Sequence, residues 1–236
     1  MKTLLACLAT ILTLPAHAAI LVAYDFNGGN NTATASDPDV LTGPIIPHGS
    51  INHINRPVIY PNSGTNGWAA APTSEIVGTG GVPGTEATSF SGNDHFSFTV
   101  TPASGFALSL TQLKFSTAFH SSGTFNLTGW YFVRSSRDGF AANIGSVFSE
   151  THVNSTDPAF TEHVLDLSAA IYQDIMSDVT FRIYLYDNSN SETRWMAIDD
   201  VSLEGTASPI PETSSLALML PGLALLTRQR RREERR

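Results

Sequence analysis

Two stretches set the fold class before any motif is considered. His95 to Thr101 reads HFSFTVT and Val179 to Tyr186 reads VTFRIYLY. Every second residue is large and apolar, the period of a strand with one buried face. Phe96, Phe98 and Val100 share one side of the first. Phe181, Ile183 and Leu185 share the inner side of the second, and Arg182, Tyr184 and Tyr186 point outward by parity. Leu113 to Phe119, Thr124 to Val133, Val164 to Leu167 and Trp195 to Leu203 add further strands, and Ile20 to Phe26 opens the series before Asn27-Gly28-Gly29. The only helical hint follows Leu167, at Ser168 to Asp174. Residues 30 to about 87 are rich in Gly, Pro, Asn, Ser and Thr and are expected to hold two or three short strands. Short strands with alternating faces and polar turns predict an all-β, antiparallel two-sheet β-sandwich, with a jelly roll first.

The ends follow other rules. Met1-Lys2, the apolar Leu4 to Leu14 and Ala16-His17-Ala18 read as a signal peptide over residues 1–18, with Ala19 as the mature start. The only cysteine, Cys7, leaves with it, so the body has no disulfide and no thiolate chemistry. At the other end, Leu216 to Leu226 carries no charge. As a helix it reaches about 17 Å, short of the ~30 Å hydrocarbon core. Arg228, Arg230, Arg231 and Arg232 stand directly behind it, and arginines there keep that end cytoplasmic. The chain therefore divides into a signal peptide, a β-sandwich over 19–207, a linker at 208–215, a short hydrophobic membrane helix at 216–227 and a basic tail at 228–236.

Pro211, Glu212 and Thr213 precede that helix. The order of Pro-Glu, a short apolar helix and terminal arginines resembles the PEP-CTERM sorting signal of Gram-negative bacteria. The resemblance implies recognition by exosortase, processing near Pro211-Glu212, and tethering at the inner membrane before passage to the cell surface or extracellular matrix. Thr213 departs from the commonest version, which has a second proline there. In the body, YDFNGG near the start and AIDDVSL near the end are similar to the terminal strands of MAM-type and carbohydrate-binding jelly rolls. There the first and last strands lie side by side, often with a cation between them.

Residues 19–207 hold six basic and eighteen acidic residues, a net of −12 against −8 for the whole chain. A body this acidic does not bind nucleic acid by neutralising phosphates. Asp199 shares the parity of Trp195, Ala197, Val201 and Leu203, which turns it toward the apolar side, where a carboxylate needs a partner. A structural calcium ion is one answer; by the resemblance, Asp25 and Asp200 are its companions. Backbone N–H donors at the strand end, or a bulge after Ile198 that turns Asp199 outward, are the alternatives. Tyr184 and Tyr186, beside Arg182, are candidates for stacking on sugar rings, unless a neighbouring loop covers that face. His48, His53, His95, His120, His152 and His163 form no metal or catalytic motif, and HExxH and GxSxG are absent.

The reading is an exported, non-catalytic β-sandwich whose partners are exosortase, the lipid bilayer and extracellular polysaccharide. A secreted hydrolase of polysaccharide or protein, and a ligand-free spacer, are the alternatives. Intact mass of protein from cells with an active exosortase is expected to begin at Ala19 and to lack Arg236. An unchanged mass with and without the enzyme, with Arg236 present, contradicts the sorting assignment.

Overall fold

The computed structural model describes residues 18–26, 31–49, 51–59, 66–72, 84–121, 127–152, 160–187 and 194–211; for 51–59, 66–72, 120, 121, 127, 152, 194 and 195 it describes the backbone only. Residues 1–17 of the expected signal peptide, Glu212, Thr213, the expected membrane segment at 216–227 and Arg228, Arg230, Arg231 and Arg232 lie outside these residues.

Thirteen strands are described: β1 (Ala19–Tyr24), β2 (Ala35–Ser36), β3 (Val40–Thr42), β4 (Ile46–His48), β5 (Ile51–Ile59), β6 (Asn66–Pro72), β7 (His95–Pro102), β8 (Phe106–Ser121), β9 (Leu127–Ser135), β10 (Phe148–His152), β11 (Thr161–Asp166), β12 (Val179–Asp187) and β13 (Arg194–Pro209). One helix, α1 (Glu86–Gly92), stands before β7. Among the described residues between 30 and 87 five strands form where two or three were expected. The Gly- and Pro-rich composition hides them, because β2 to β4 are only two or three residues long. The expected helical turn after Leu167 is a single 3-10 turn, Ala170–Tyr172.

Every strand pairing is antiparallel. A seven-stranded sheet runs β11-β8-β13-β1-β2, with β6 also beside β13 and β5 beside β6. A six-stranded sheet runs β10-β9-β12-β7-β3, with β4 also beside β7. The first strand lies against the last, from Ala19↔Gly205 to Tyr24↔Val201, as the similarity to jelly-roll termini implied. From β7 onward the chain passes repeatedly between the sheets.

The inner faces meet in one apolar core. Leu113, Phe115, Phe119, Met196, Ile198, Val201 and Leu203 come from the larger sheet; Phe96, Phe98, Val100, Val133, Phe181, Ile183 and Leu185 come from the smaller. The alternation of β7 and the inner positions of β12 are as the sequence predicts. Buried tyrosines keep their hydroxyls satisfied, which removes the cost of burying a polar tip. Tyr131 Oη donates to Ala118 O at 2.7 Å, and Tyr24 Oη donates to Gly43 O at 2.7 Å. Both Leu110 and Leu113 face inward because the β8–β13 register slips between Glu204 and Gly205. Gly205 is required at that slip, since a Cβ there falls 2.4 Å from Ser109 O.

Phe181 is fully buried and stacks on Phe98 at 5.4 Å, whereas Val164 on the edge strand β11 is 50 % exposed. Phe181→Ala is expected to cost about 3–5 kcal/mol and Val164→Ala no more than about 0.5 kcal/mol. Denaturant midpoints measure both, and comparable losses contradict this core.

Candidate functional site

Alternation about the core gives the smaller sheet an outer face of definite chemistry. Its strand positions are Trp130, Phe132 and Arg134 on β9, Thr180, Arg182, Tyr184 and Tyr186 on β12, and His95, Ser97 and Thr99 on β7. The strands pair so that Tyr184 lies beside Phe132 and Tyr186 beside Trp130. Cross-strand aromatic neighbours stack. Phe132 and Tyr184 lie 4.8 Å apart and 6° from parallel; Trp130 and Tyr186 lie 5.2 Å apart and 12° from parallel. The two stacks make an aromatic platform across β9 and β12.

Helix α1 covers part of it. Thr85 caps its start, accepting from Thr88 N while the Thr88 hydroxyl accepts from Thr85 N, and Asn93 closes it in a left-handed conformation. Ser89 Oγ donates to Leu185 O at 2.9 Å, and the Phe90 ring sits 5.6 Å from that of Tyr184. Arg134 fastens the helix. It donates to Glu86 at 3.0 Å, to Asn143 Oδ1 at 2.8 Å and to Phe140 O at 3.0 Å, with Phe90 4.2 Å from its Cζ. Tyr184 is therefore fully buried, which corrects its assignment as an exposed sugar contact. Parity gave its direction; α1, Phe132 and His95 supply the cover. Tyr186 and Trp130 stay half-exposed.

On the other side of Tyr184, His48 and His95 stack at 4.7 Å, and His48 Nε2 meets Ser97 Oγ at 2.8 Å. Burial first, then the Arg182 charge and His48, push His95 down to about 3, against a backbone hydrogen bond at Asn93. His95 is thus a neutral ring at neutral pH.

The aspartates expected to share a cation sit on the other sheet. Ala197 joins Ala118 and Phe160, while Met196 and Ile198 enter the main core. Asp199 follows Ala197 on the outer side. A bulge between Asp199 and Ser202, with Asp200 at φ +47°, then returns Val201 to the core. The inward parity expected for Asp199 is overturned by that bulge, although the residue is buried, with 2 % of its surface exposed. Its Oδ1 accepts from Asp200 N at 2.8 Å. Burial raises its pKa to about 7; the Asp200 N–H opposes this, and the charges of Asp200 and Asp25 add to it. Asp200 is raised too, by burial and then by Asp25 and Glu162. Among the described residues no three Asp, Glu, His or Cys side chains group to hold a metal ion. As placed, the three aspartates are mutually repelling neighbours rather than a formed ligand set. A glycosidase acid must touch its substrate; Asp199 is too buried to do so.

Thr117, His163 and Glu150 meet between the sheets, a contact the scattered sequence positions gave no sign of. Thr117 Oγ1 lies 2.7 Å from His163 Nε2 and donates to Glu150 Oε1 at 3.1 Å, and His163 Nε2 lies 3.2 Å from that same oxygen. A nucleophile relay uses both ring nitrogens, with the hydroxyl proton aimed at the imidazole. Here one nitrogen takes both contacts and the hydroxyl proton goes to the carboxylate. The trio ties β10 to β8 and β11.

No protein-family model and no curated protein sequence matches the chain. Among solved structures it is similar to the K3 cleaved adhesin domain of Lys-gingipain from Porphyromonas gingivalis, at 15% identity and a TM-score of 0.40, over 78% of this chain and 98% of that one. It is also similar to CBM27-1 of Caldicellulosiruptor saccharolyticus in complex with mannohexaose, at 13% identity and 0.39, over 79% and 96%. A third likeness is to the CBM22-2 xylan-binding domain of Paenibacillus barcinonensis Xyn10C, at 13% and 0.37, over 79% and 99%. Scores this low leave the reading of the site to its own residues.

Raising an aspartate's folded pKa above its unfolded 3.8 gives stability that is complete at low pH and lost as pH rises toward the folded value, about 7. In chelator-treated protein, the wild type should lose stability relative to Asp199→Asn between pH 4 and 7, with the gap constant above that. A flat difference across this window contradicts the buried carboxyl. A calcium-induced rise in the wild-type melting temperature, absent from Asp199→Asn, would restore the carboxylate–cation reading.

Proposed function

We propose that this chain is an exported, exosortase-sorted protein of the bacterial cell surface or extracellular matrix, whose non-catalytic jelly-roll body binds extracellular polysaccharide on the outer face of its six-stranded sheet. The supporting observation is the half-exposed Trp130–Tyr186 stack, flanked on the same face by the buried Phe132–Tyr184 stack. Sugar rings present apolar C–H faces, and an aromatic pair held rigid by its neighbours offers them apolar area with little loss of side-chain entropy. Polar Ser97, Thr99 and Thr180 extend the face toward β7 and offer hydroxyls to a polyol.

The itinerary rests on sequence. The signal peptide delivers the body across the membrane, the segment at 216–227 holds it in the bilayer, and Pro211-Glu212-Thr213 marks where exosortase acts. Arg228, Arg230, Arg231 and Arg232 keep the tail on the cytoplasmic side. Pro211 is exposed just beyond the end of β13, where a processing enzyme would reach it.

Trp130→Ala and Tyr186→Ala are each expected to weaken retention on immobilised matrix polysaccharide about tenfold or more, as loss of a stacking anchor does. Melting temperatures within a few degrees of wild type would separate lost binding from lost folding. Undiminished retention in both variants removes the platform from the binding role.

A further inference from the structure

Arg134 and Arg182 are paired neighbours on β9 and β12, and the contrast between them is the most informative feature of this face. Arg134 is fully employed in holding α1, with a carboxylate, an amide and a carbonyl as acceptors. Arg182 has no such set. Its guanidinium lies on the Phe140 ring, 3.8 Å from the centroid, and Nη1 reaches the Tyr184 hydroxyl at a long 3.3 Å. The Nε atom is buried with no acceptor. Among the described residues no carboxylate pairs with Arg182. Buried donors left unmade are costly, and in a native protein they ask for an explanation.

Composition sharpens the point. The body carries eighteen acidic residues, yet the outward strand positions of the six-stranded sheet hold none among the described residues. Glu86, which reaches this face from α1, is taken by Arg134, and Asp178, just before β12, accepts from Thr101. The acids gather on the other sheet instead, where Asp25, Asp199, Asp200 and Glu162 act on one another. A cation with a donor left unmade and no carboxylate paired to it, in a chain full of acids, is arranged for a carboxylate from outside. Planar guanidinium donors match that group in two-pronged geometry.

We propose that Arg182, held flat on Phe140, docks a carboxylate of an acidic polysaccharide, so that the ligand class of this face is a uronate-containing chain rather than a neutral glycan. This rests on the polysaccharide-binding reading and deepens it. Arg182 and Tyr186 are four residues apart on one strand, about 13 Å. One sugar unit cannot engage both, so the ligand is a polymer that meets the guanidinium and the Trp130–Tyr186 stack at different units.

Native affinity electrophoresis of the full chain tests this, with polygalacturonate, its fully methyl-esterified form, neutral xylan or polyglutamate in the gel. Polygalacturonate is expected to bind about tenfold or more tightly than its ester. Arg182→Gln should bring the two to the same affinity, and Arg182→Lys should keep part of the difference. Trp130→Ala should weaken both polysaccharides. Should Arg182→Gln fail to fold by its melting curve, the lysine variant carries the comparison. Equal wild-type affinity for acid and ester, or for acid and xylan, overturns the acidic-sugar assignment while the polysaccharide role stands. Polyglutamate bound as tightly as polygalacturonate overturns it in favour of plain charge capture. Binding to none of the polysaccharides overturns both readings.

Discussion

The pairing of β13 with its neighbours is the constraint on which the rest of the structure depends. One edge runs along β8 from Arg194↔Ser121 to Pro209↔Phe106. The other is shared, β6 beside Met196 to Ile198 and β1 beside Val201 to Gly205. Over those two stretches β13 has partners on both edges, and its inner side chains form the floor of the core. Because β1 joins β13 across almost the whole body, the sandwich closes only when both termini are in place. Folding should therefore be dominated by long-range contacts and be slow for its size. The handover from β6 to β1 falls at Asp199 and Asp200. There the bulge, the left-handed residue and the raised carboxyl share one cause: the strand must change phase between two partners.

From this frame follow two outer faces of unlike chemistry. The face of the larger sheet gathers carboxylates, with Lys114 bound to Glu204 at 2.6 Å. That exposed pair contributes little to stability. The face of the smaller sheet gathers stacked rings, hydroxyls, two histidines and two arginines. On an acidic body, the face with stacked rings and two arginines suits anionic or neutral polymers better than the carboxylate face does, as the proposed function requires. Helix α1 divides the presented side, burying Tyr184 and Phe132 as support and leaving Trp130, Tyr186 and Arg182 at its margins.

Much of the fold could be read from periodicity, and the misreadings have identifiable physical sources. The alternation in HFSFTVT marks β7 because Phe96, Phe98 and Val100 all enter one core. The same rule gave the right direction for Tyr184 and the wrong exposure, since parity says which way a side chain points and not what lies on top of it. What lies on top is α1, whose start carries Thr85 and Thr88 rather than the Ser/Thr-x-x-Glu pattern that marks a capping box. Asp199 defeated parity through a bulge, and Asp200 carries no glycine to announce the positive φ. The unequal use of Arg134 and Arg182 is invisible in sequence, because it depends on α1 bringing Glu86, and the loop after β9 bringing Asn143, within reach. The proposed sorting signal is a local sequence pattern that needs no fold to be read, and its residues from Glu212 onward lie outside those described.

The central claim is that the outer face of the six-stranded sheet, and not the acidic face opposite, meets the ligand. Backbone amide shifts of the isotopically labelled protein, followed by NMR as an acidic oligosaccharide is added, test it most directly. The account predicts that the shifts concentrate on β9, β12 and β7, led by Trp130, Arg182 and Tyr186, with β8 and the middle of β13 unmoved. Shifts centred on Asp25, Lys114 and Asp199 to Glu204 would contradict it.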